Sequence, residues 1–463
     1  GDQTSTFDSF QASLKAGLSA STSGVSYWAW DMAGFTGDYP TAELYKRATA
    51  MAAFAPIMQF HSEKSDPSPS EERSPWNAVA RTGDETILPT FQKYLYTRMN
   101  LLPYIYTAAK DTADNGKSMM RQMAMDYPED VNARDLDEQY MFGDDLLVAP
   151  IVQEGQTEKE VYLPEGEWVD IWNGGVHPGG ETISYYADVD TLPVFAKAGA
   201  IIPMNMTDGY QLGQNVGNDL KSYDNLTFRV YPSGDSEYSF YDDVNGGEMR
   251  DISVSEDFAN EKVSVDLPAM ADETTMQVFS TEPTSVTIDG ADVAKADTLD
   301  AFNEATTGYY YDTVQNLTYV KAAAKDAKQA IVLNGVNHAP YEAEFGHLTN
   351  VTTASDHAGY TGTGFVAGFD AEKEAVEFDI DAVDGASDYT MEVRYSAGVE
   401  DATRTVYING KKQQITLPKT ANWDTWNTVE VPVTLQAGNN QVVFDFEADD
   451  TAGINFDHVV IKK

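Results

Sequence analysis

The sequence lacks cysteine altogether and is poor in basic residues. Because none of its 463 residues is cysteine, disulfide bonds and thiolate metal sites are excluded. Lysine and arginine number 30 against 74 aspartates and glutamates, which gives a formal net charge of −44. Such a negative field repels nucleic acid and anionic membrane surfaces, so we expect no nucleic-acid partner. Neutral sugars, or cations such as calcium, are the favoured ligands.

Long apolar runs are also missing. No stretch approaches the roughly 20 apolar residues that span a bilayer, so no membrane insertion is expected. The first residue is glycine rather than methionine, which predicts that the natural start of the polypeptide precedes it. A hydrophobic fraction of 42% is typical of a globular protein, and the length suggests roughly three domains of about 150 residues each.

The N-terminal part alternates helical patterns with short apolar runs. One helix is predicted from apolar residues at helical spacing, with Thr4 or Ser5 as its N-cap: Phe7, Phe10, Leu14 and Leu18. A second helix is predicted over residues 39–54. The apolar, aromatic residues 24–30 and 55–61 predict buried strands of a parallel sheet. Strand, loop and helix in this order form the repeating unit of a (β/α)8 barrel.

Polar side chains stand where these predicted strands end. Asp31 follows the first strand and His61 ends the second, which places both at the rim where such barrels hold their chemistry. Taken alone, Asp31 is more simply a helix-entry carboxylate, His61 a structural histidine and Asp2 a solvated terminus. Their surroundings therefore have to decide between a structural and a functional role.

After about residue 145 the helical period disappears. Short strand patterns separated by Gly, Pro and Asn predict two consecutive β-sandwiches over residues 146–222 and 223–335. Residues 334–340 form a plausible linker to a last compact unit, residues 336–463, in which Asn409-Gly410 predicts a hairpin turn. Residues 1–145 complete this division into four domains.

The last unit carries three carboxylates of interest. Glu342 and Glu344 are two residues apart, so a strand would place both on one face. With Asp457 they could form an all-oxygen calcium site. The alternative is a solvated strand face in a very acidic protein.

Several ordered motifs resemble glycoside hydrolase family 31. Gly1-Asp2-Gln3-Thr4-Ser5-Thr6-Phe7 matches the acid/base segment of that family, and Asp31 with Gly34-Phe35 matches its Asp-x-x-Gly-Phe loop. His61 stands where the family has an Arg-Asn-His triplet, although Gln59 replaces the arginine. Later landmarks follow in the family's order: residues 142–150, 162–164 and 192–195.

This resemblance implies a fold and a chemistry. The fold would be the C-terminal part of a (β/α)8 barrel, followed by two β-sandwich domains and a β-sandwich (jelly-roll) carbohydrate-binding module. Asp2 would be the catalytic acid/base, while Asp31 and His61 would bind the sugar and Phe35 would line its subsite. The nucleophile of the family lies on an earlier barrel strand, so an N-terminal part of the same protein is expected to complete the barrel.

The last unit resembles carbohydrate-binding module family 35, in residues 341–344, 356–365, 423–426 and 455–457. The resemblance implies a structural calcium ion on Glu342, Glu344 and Asp457. Tyr360 and Trp423 would offer flat apolar faces to a sugar ring, and Asn455 would fix a hydroxyl group.

The implied function is a retaining α-glycoside hydrolase that acts on α-glucosidic linkages of oligo- or polysaccharides. Two alternatives remain open: an α-glucosyltransferase of the same family, and a non-catalytic carbohydrate-binding surface protein. Glucose is the expected sugar, with xylose and galactose as alternatives. A binding module and calcium both favour an extracellular or cell-surface setting, in a protein secreted by a bacterium.

Overall fold

The chain begins with helices and continues as β-sheet. A computed structural model describes residues 3–62, 72–382 and 385–463. Within these ranges the helices are α1 Phe7–Thr22, α2 Ala42–Ala53, α3 Pro75–Thr82, α4 Ile87–Asn100, α5 Leu102–Asn115, α6 Met123–Asp126 and α7 Leu299–Glu304. No helix in the described ranges is long and apolar enough to cross a membrane.

Helices α1 and α2 follow the predicted apolar patterns. Helix α1 buries Phe10, Leu14 and Leu18 on one face, and its N-cap is Thr6, one residue beyond the predicted Thr4 or Ser5. The hydroxyl of Thr6 accepts a hydrogen bond from the backbone N–H of Ser9, in the first turn of the helix, at 3.2 Å. Helix α2 is confirmed within the predicted residues 39–54 and is capped in the same way by Thr41.

The two predicted barrel strands are not strands among the described residues. Residues 24–30 and 55–61 have no ladder partner in the described part of the chain. A backbone hydrogen bond from Met32 N to Gln59 O at 3.3 Å joins the regions where they end. An extended segment becomes a strand only when a neighbour satisfies its N–H and C=O groups. In residues 57–61 exposed and half-buried side chains still alternate, as in a strand with one open face.

The first two sheets follow the helices. Their strands are β1 Met120–Gln122, β2 Tyr140–Phe142, β3 Leu146–Val148, β4 Glu158–Leu163, β5 Glu167–Asp170, β6 Val176–Pro178, β7 Glu181–Tyr186 and β8 Val194–Lys197. The larger sheet has the order β1-β2-β3-β8-β5-β6, and β4 pairs with β7 in the smaller one. Strand β1 is followed directly by α6, which begins at Met123.

Two further sheets face each other across one core. Their strands are β9 Ile201–Met206, β10 Asn225–Val230, β11 Asp235–Asp242, β12 Glu248–Asp257, β13 Lys262–Leu267, β14 Thr274–Phe279, β15 Ser285–Ile288, β16 Ala291–Asp292, β17 Gly308–Asp312, β18 Leu317–Ala322 and β19 Gln329–Asn334. The orders are β17-β18-β14-β10-β9 and β11-β12-β13-β19-β15-β16. Buried residues of both sheets form one cluster, as expected of a sandwich.

The C-terminal unit also has two sheets around one core. Its strands are β20 Tyr341–Glu342, β21 His347–Thr349, β22 Thr352–Ala354, β23 Phe365–Phe369, β24 Ala375–Ala382, β25 Ser387–Ser396, β26 Ala402–Ile408, β27 Lys411–Leu417, β28 Asn427–Leu435, β29 Gly438–Asp445 and β30 Ile454–Lys462. The orders are β22-β23-β30-β25-β28, with β20 beside β30, and β21-β24-β29-β26-β27. The hairpin predicted at Asn409-Gly410 is confirmed, since both residues have positive φ between β26 and β27.

The three boundaries between the four predicted domains stay predictions. One hydrophobic cluster extends from Phe10 to Ala339 and so crosses the positions where the boundaries were placed. Strand β9, assigned to the proximal unit, pairs with β10 of the distal one. The hydrophobic core and the strand pairing therefore continue across predicted boundaries.

Candidate functional site

Three separate segments meet beside the start of α1: residues 3–5, 31–38 and 59–62. Phe35 N and Thr36 N both donate to Gln3 O, at 2.9 and 3.1 Å. In return, Gln3 Nε2 donates to Asp31 O at 3.0 Å. Met32 N donates to Gln59 O, which joins the third segment to the second. The segments that carry the predicted site residues are thus neighbours in space.

A tight turn at residues 31–34 allows this close approach. Ala33 and Gly34 have φ values of 61° and 99°, and Gly34 N donates to Asp31 O at 2.8 Å. A Cβ atom on Gly34 would lie 2.4 Å from Ser5 Oγ and 2.7 Å from Ser5 Cα. Glycine is required here both for the left-handed backbone and for the contact with Ser5.

The structure brings Phe35 and His61 together, and Asp31 begins the turn that directly precedes Phe35. The ring centroids of Phe35 and His61 are 5.4 Å apart, at an interplanar angle of 43°. His61 is exposed, whereas Asp31 and Phe35 are half-buried. Asp2 lies outside the described residues. An aromatic wall beside an imidazole and a carboxylate is suited to binding a sugar ring through its C–H face and its hydroxyls.

In the C-terminal unit, two of the three predicted metal-binding carboxylates lie in one buried cluster. Ligand atoms of Glu342, Asp457 and His458 all lie within 4.8 Å of one another. Glu342 accepts hydrogen bonds from Asn316 Nδ2 at 2.7 Å and from Thr361 Oγ1 at 3.1 Å. His458 was not predicted, although it directly follows Asp457 in the sequence.

Positive groups balance this cluster. The guanidinium of Arg394 forms an ion pair with Asp457, and His458 Nδ1 lies 3.2 Å from the same carboxylate. Burial alone would lower the pKa of His458, but hydrogen bonds and charge from Asp457 and Glu342 raise it to about 9. The raised pKa favours the protonated, cationic form of His458 at neutral pH.

Glu344 lies beside Glu342, but not in the arrangement that the sequence predicted. The strand ends at Glu342, and residues Ala343–Phe345 form a 3-10 helix, so a shared strand face does not align the two glutamates. Both side chains instead crowd Gly362, where a Cβ atom would lie 2.4 Å from Glu344 Oε1 and 2.9 Å from Glu342 Cδ. Burial and the neighbouring charge of Glu342 raise the pKa of Glu344 to about 8.

The predicted sugar-binding rings of the same unit belong to one aromatic group. Phe365 contacts Tyr360 and His357, with centroids 5.7 and 6.0 Å apart, and His357 in turn contacts Trp423 at 6.4 Å. Trp423 packs on Gly398, where a Cβ atom would lie 2.8 Å from its ring. Asn455 is buried in β30, opposite Ser396 of β25. The ligand roles of Tyr360, Trp423 and Asn455 stay predictions.

A cavity of about 660 Å³ lies between α5 and the β-sheets, away from these candidate sites. Several of its charged lining residues form ion pairs with one another, for example Lys110 with Asp114 and Lys117 with Asp144. Asp145 is buried in its wall, 3.4 Å from Lys197, and within the described ranges Asp145 Oδ2 has no hydrogen-bond partner.

Comparison with protein families finds matches in three parts of the chain. Residues 1–108 match the "Glycosyl hydrolases family 31 TIM-barrel domain" and residues 116–202 the "Glycosyl hydrolase family 31 C-terminal domain". Residues 342–463 match "Carbohydrate binding module (family 6)". The chain thus combines partial glycosyl hydrolase family 31 domains with a carbohydrate-binding module. The assignment of that module to family 35 is corrected to family 6.

Two curated relatives match almost the whole chain. The isomaltosyltransferase of Sporosarcina globispora is 53% identical over 463 residues, which are 100% of this chain and 42% of the relative. The 1,6-alpha-glucosyltransferase of the same organism is 30% identical over 96% of this chain and 36% of its own length. The chain therefore spans less than half the length of either relative.

A solved structure supports the fold. The family 31 dextranase of Flavobacterium johnsoniae, complexed with glucose, superimposes with a TM-score of 0.61 at 24% identity. The match covers 71% of this chain and 42% of the dextranase. At this identity the likeness concerns the arrangement of helices and sheets.

Proposed function

We propose that the protein containing this chain is a retaining α-glucosyl-transferring enzyme, which moves an α-linked glucosyl or isomaltosyl unit from one saccharide to another. The observation that carries this proposal is the 53% identity to an isomaltosyltransferase along the entire chain. The second whole-chain relative is also a glucosyltransferase. Transfer is therefore preferred to the hydrolysis that the sequence motifs alone suggested, and hydrolysis becomes the second candidate.

The proposed mechanism is a double displacement. In retaining enzymes of this type one carboxylate attacks the anomeric carbon, and a second carboxyl group protonates the leaving oxygen and later deprotonates the incoming acceptor. Asp2 is assigned this acid/base role. The nucleophile is assigned to a residue of the whole protein that these 463 residues do not include.

The described residues contribute substrate binding to this mechanism. Asp31 and His61 hydrogen-bond hydroxyls of the transferred sugar, and Phe35 covers its apolar face beside His61. The hydrogen bonds among residues 3–5, 31–36 and 59 hold these groups in place before the substrate binds, which lowers the entropic cost of reaching the transition state.

The test compares transfer with hydrolysis at one site. The whole protein is incubated with an α-glucan oligosaccharide that ends in an α-1,6-linked glucosyl residue, and both new glycosidic bonds and released reducing sugar are quantified. We expect new bonds to outnumber hydrolytic events and to increase with acceptor concentration. Asp2→Asn serves as the catalytic control and should abolish both.

Two other outcomes have distinct meanings. Release of one reducing sugar for each cleaved bond, independent of the acceptor, would identify a hydrolase. Binding of the oligosaccharide without cleavage would favour the non-catalytic carbohydrate-binding protein instead.

We also propose that the C-terminal module binds a structural calcium ion through Glu342, Glu344 and Asp457. The fit rests on the donor set, which supplies the carboxylate oxygens that calcium prefers. It also rests on Glu344 Oε2, which is buried and has no hydrogen-bond partner among the described residues. The ion would neutralise adjacent carboxylates and take no part in catalysis. Calcium and a polymeric substrate together support an extracellular or cell-surface setting, which we propose for a bacterial protein.

A further inference from the structure

A buried arginine contacts all three segments of the candidate site. The side chain of Arg73 donates from Nε to Ser5 Oγ at 2.9 Å, in the first segment. Its Nη2 donates to Gly37 O at 3.2 Å and to Asp38 O at 3.4 Å, in the second. Its backbone N–H donates to Ser62 Oγ at 3.0 Å, in the third. Arg73 is only 2% exposed.

Each of these contacts lies within three residues of a candidate site residue in the sequence. Ser5 is three residues after Asp2, Gly37 is two residues after Phe35, and Ser62 directly follows His61. Ser5 is also the residue against which Gly34 packs. A small displacement of Ser5 or of residues 37–38 would therefore move the acid/base segment relative to the sugar-binding residues.

Arg73 itself is held rigidly. Its carbonyl accepts a hydrogen bond from Tyr45 Oη at 2.9 Å, and Tyr45 is fully buried in α2. The next residue, Ser74, is the N-cap of α3. The guanidinium is planar and offers five donors in a fixed geometry, so it can hold several oxygens at once, whereas the single ammonium of lysine cannot reproduce this pattern.

We propose that Arg73 is a positioning residue that fixes the segment bearing Asp2 relative to Asp31, Phe35 and His61. It acts through the hydrogen bonds to Ser5 and to the carbonyls of residues 37–38. This role rests on the proposed glycosyl-transfer function. It predicts that loss of the guanidinium impairs the acid/base step more than sugar binding.

The test replaces Arg73 by lysine in the whole protein. The matched control is Arg47→Lys, because Arg47 is also a buried arginine that donates to backbone carbonyls, namely Asp188 O at 2.7 Å and Gln156 O at 2.8 Å, outside the three segments. Melting temperature, kcat and KM are measured for both variants. Two donors are compared: the oligosaccharide, whose leaving group needs protonation, and a nitrophenyl α-glucoside, whose leaving group does not.

For Arg73→Lys we expect kcat on the oligosaccharide to fall about 100-fold, with KM little changed and a much smaller loss on the nitrophenyl glucoside. Arg47→Lys should lose stability to a similar degree but keep its kcat on both donors. Equal loss on the two donors, or the same kinetics in both variants, would overturn the positioning role while leaving the proposed function intact. A wild-type protein that cleaves neither donor would overturn the proposed function and this role together.

Discussion

At the scale of single residues, two adjacent aspartates show how the surroundings decide the ionisation of identical side chains. Burial raises the pKa of Asp145 to about 6, although Lys197 partly opposes this shift. Burial also acts on Asp144, but the hydrogen bond from Lys117 and the charge of Arg121 outweigh it, so the pKa of Asp144 is lowered. The two carboxyl groups therefore affect stability in opposite directions.

We predict that Asp145→Asn increases stability at neutral pH relative to the wild type. The folded state keeps the Asp145 proton up to about pH 6, whereas an unfolded aspartate loses it near pH 3.9. The folded state thus binds more protons between these values, and the wild type loses stability as pH rises through that window. Between pH 4 and pH 7, the free energy of unfolding of the variant should rise relative to that of the wild type by about 3 kcal/mol.

Chemical denaturation at a series of pH values measures this difference. Asp144→Asn is the matched control and should show no such gain. The pKa of Asp144 is lowered, so its carboxylate stabilises the folded state and this stabilisation is lost only at acid pH, when the carboxylate is protonated. Parallel pH profiles for wild type and Asp145→Asn would contradict the prediction.

The sequence predicted the candidate site residues better than it predicted the side chains that hydrogen-bond to their segments. Phe35 and His61, which are 26 positions apart, do come into contact, and the turn around Gly34 lies where the motif placed it. Arg73 and His458 were missed because their importance lies in hydrogen bonds to distant segments, which no local pattern encodes. In the sequence, Arg73 is marked only by the helix N-cap Ser74 that follows it, and His458 only by Asp457 before it.

At the scale of elements, the sequence predicted correctly those elements whose backbone hydrogen bonds are made within the element itself. Helix α1 and the Asn409-Gly410 hairpin need only residues near in sequence, and both are confirmed. Residues 24–30 have the composition of a strand but no ladder partner among the described residues. They are held by side chains instead: Trp28 stacks on Trp30, with ring centroids 5.4 Å apart, and packs over Gly17 of α1.

We predict that Gly17→Ala destabilises the protein although alanine favours helix. A Cβ atom at this position would lie 2.7 Å from the ring of Trp28, so the ring must move. Overpacking of this kind costs about 1–3 kcal/mol, against roughly 1 kcal/mol gained from helix propensity. We expect a lower melting temperature and a red shift of tryptophan emission as Trp28 becomes more exposed.

The control for this variant is Ser19→Ala, on the exposed side of the same helix. It should raise stability by a few tenths of a kcal/mol, because serine is a weaker helix former than alanine, and leave the emission unchanged. If Gly17→Ala behaved like Ser19→Ala, the tryptophan stack would not be what holds residues 24–30 on α1.

At the scale of the whole molecule, the carboxylate cluster of the C-terminal module also joins that module to the preceding β-domains. Asn316, in the turn between β17 and β18, donates to Glu342, and Gly362 N donates to Thr313 O at 2.9 Å. Tyr341, next to Glu342, donates to Glu167 of β5 at 3.0 Å. A change in charge at the cluster is therefore coupled to how firmly the module is attached.

We predict that calcium raises the stability of the module and that Glu344→Gln removes this response. A ligand that binds only the folded state, at about 100 times its Kd, stabilises that state by about 2.7 kcal/mol. Glu344 is the informative residue, because Asp457 is already paired with Arg394, whereas no residue in the described part of the chain hydrogen-bonds Glu344 Oε2. Calorimetry with calcium and with a chelator measures the shift, and Glu430→Gln, at an exposed position of β28, is the control that should still respond. Identical unfolding with calcium and with chelator would show that Arg394, His458 and Thr361 balance the carboxylates without a metal.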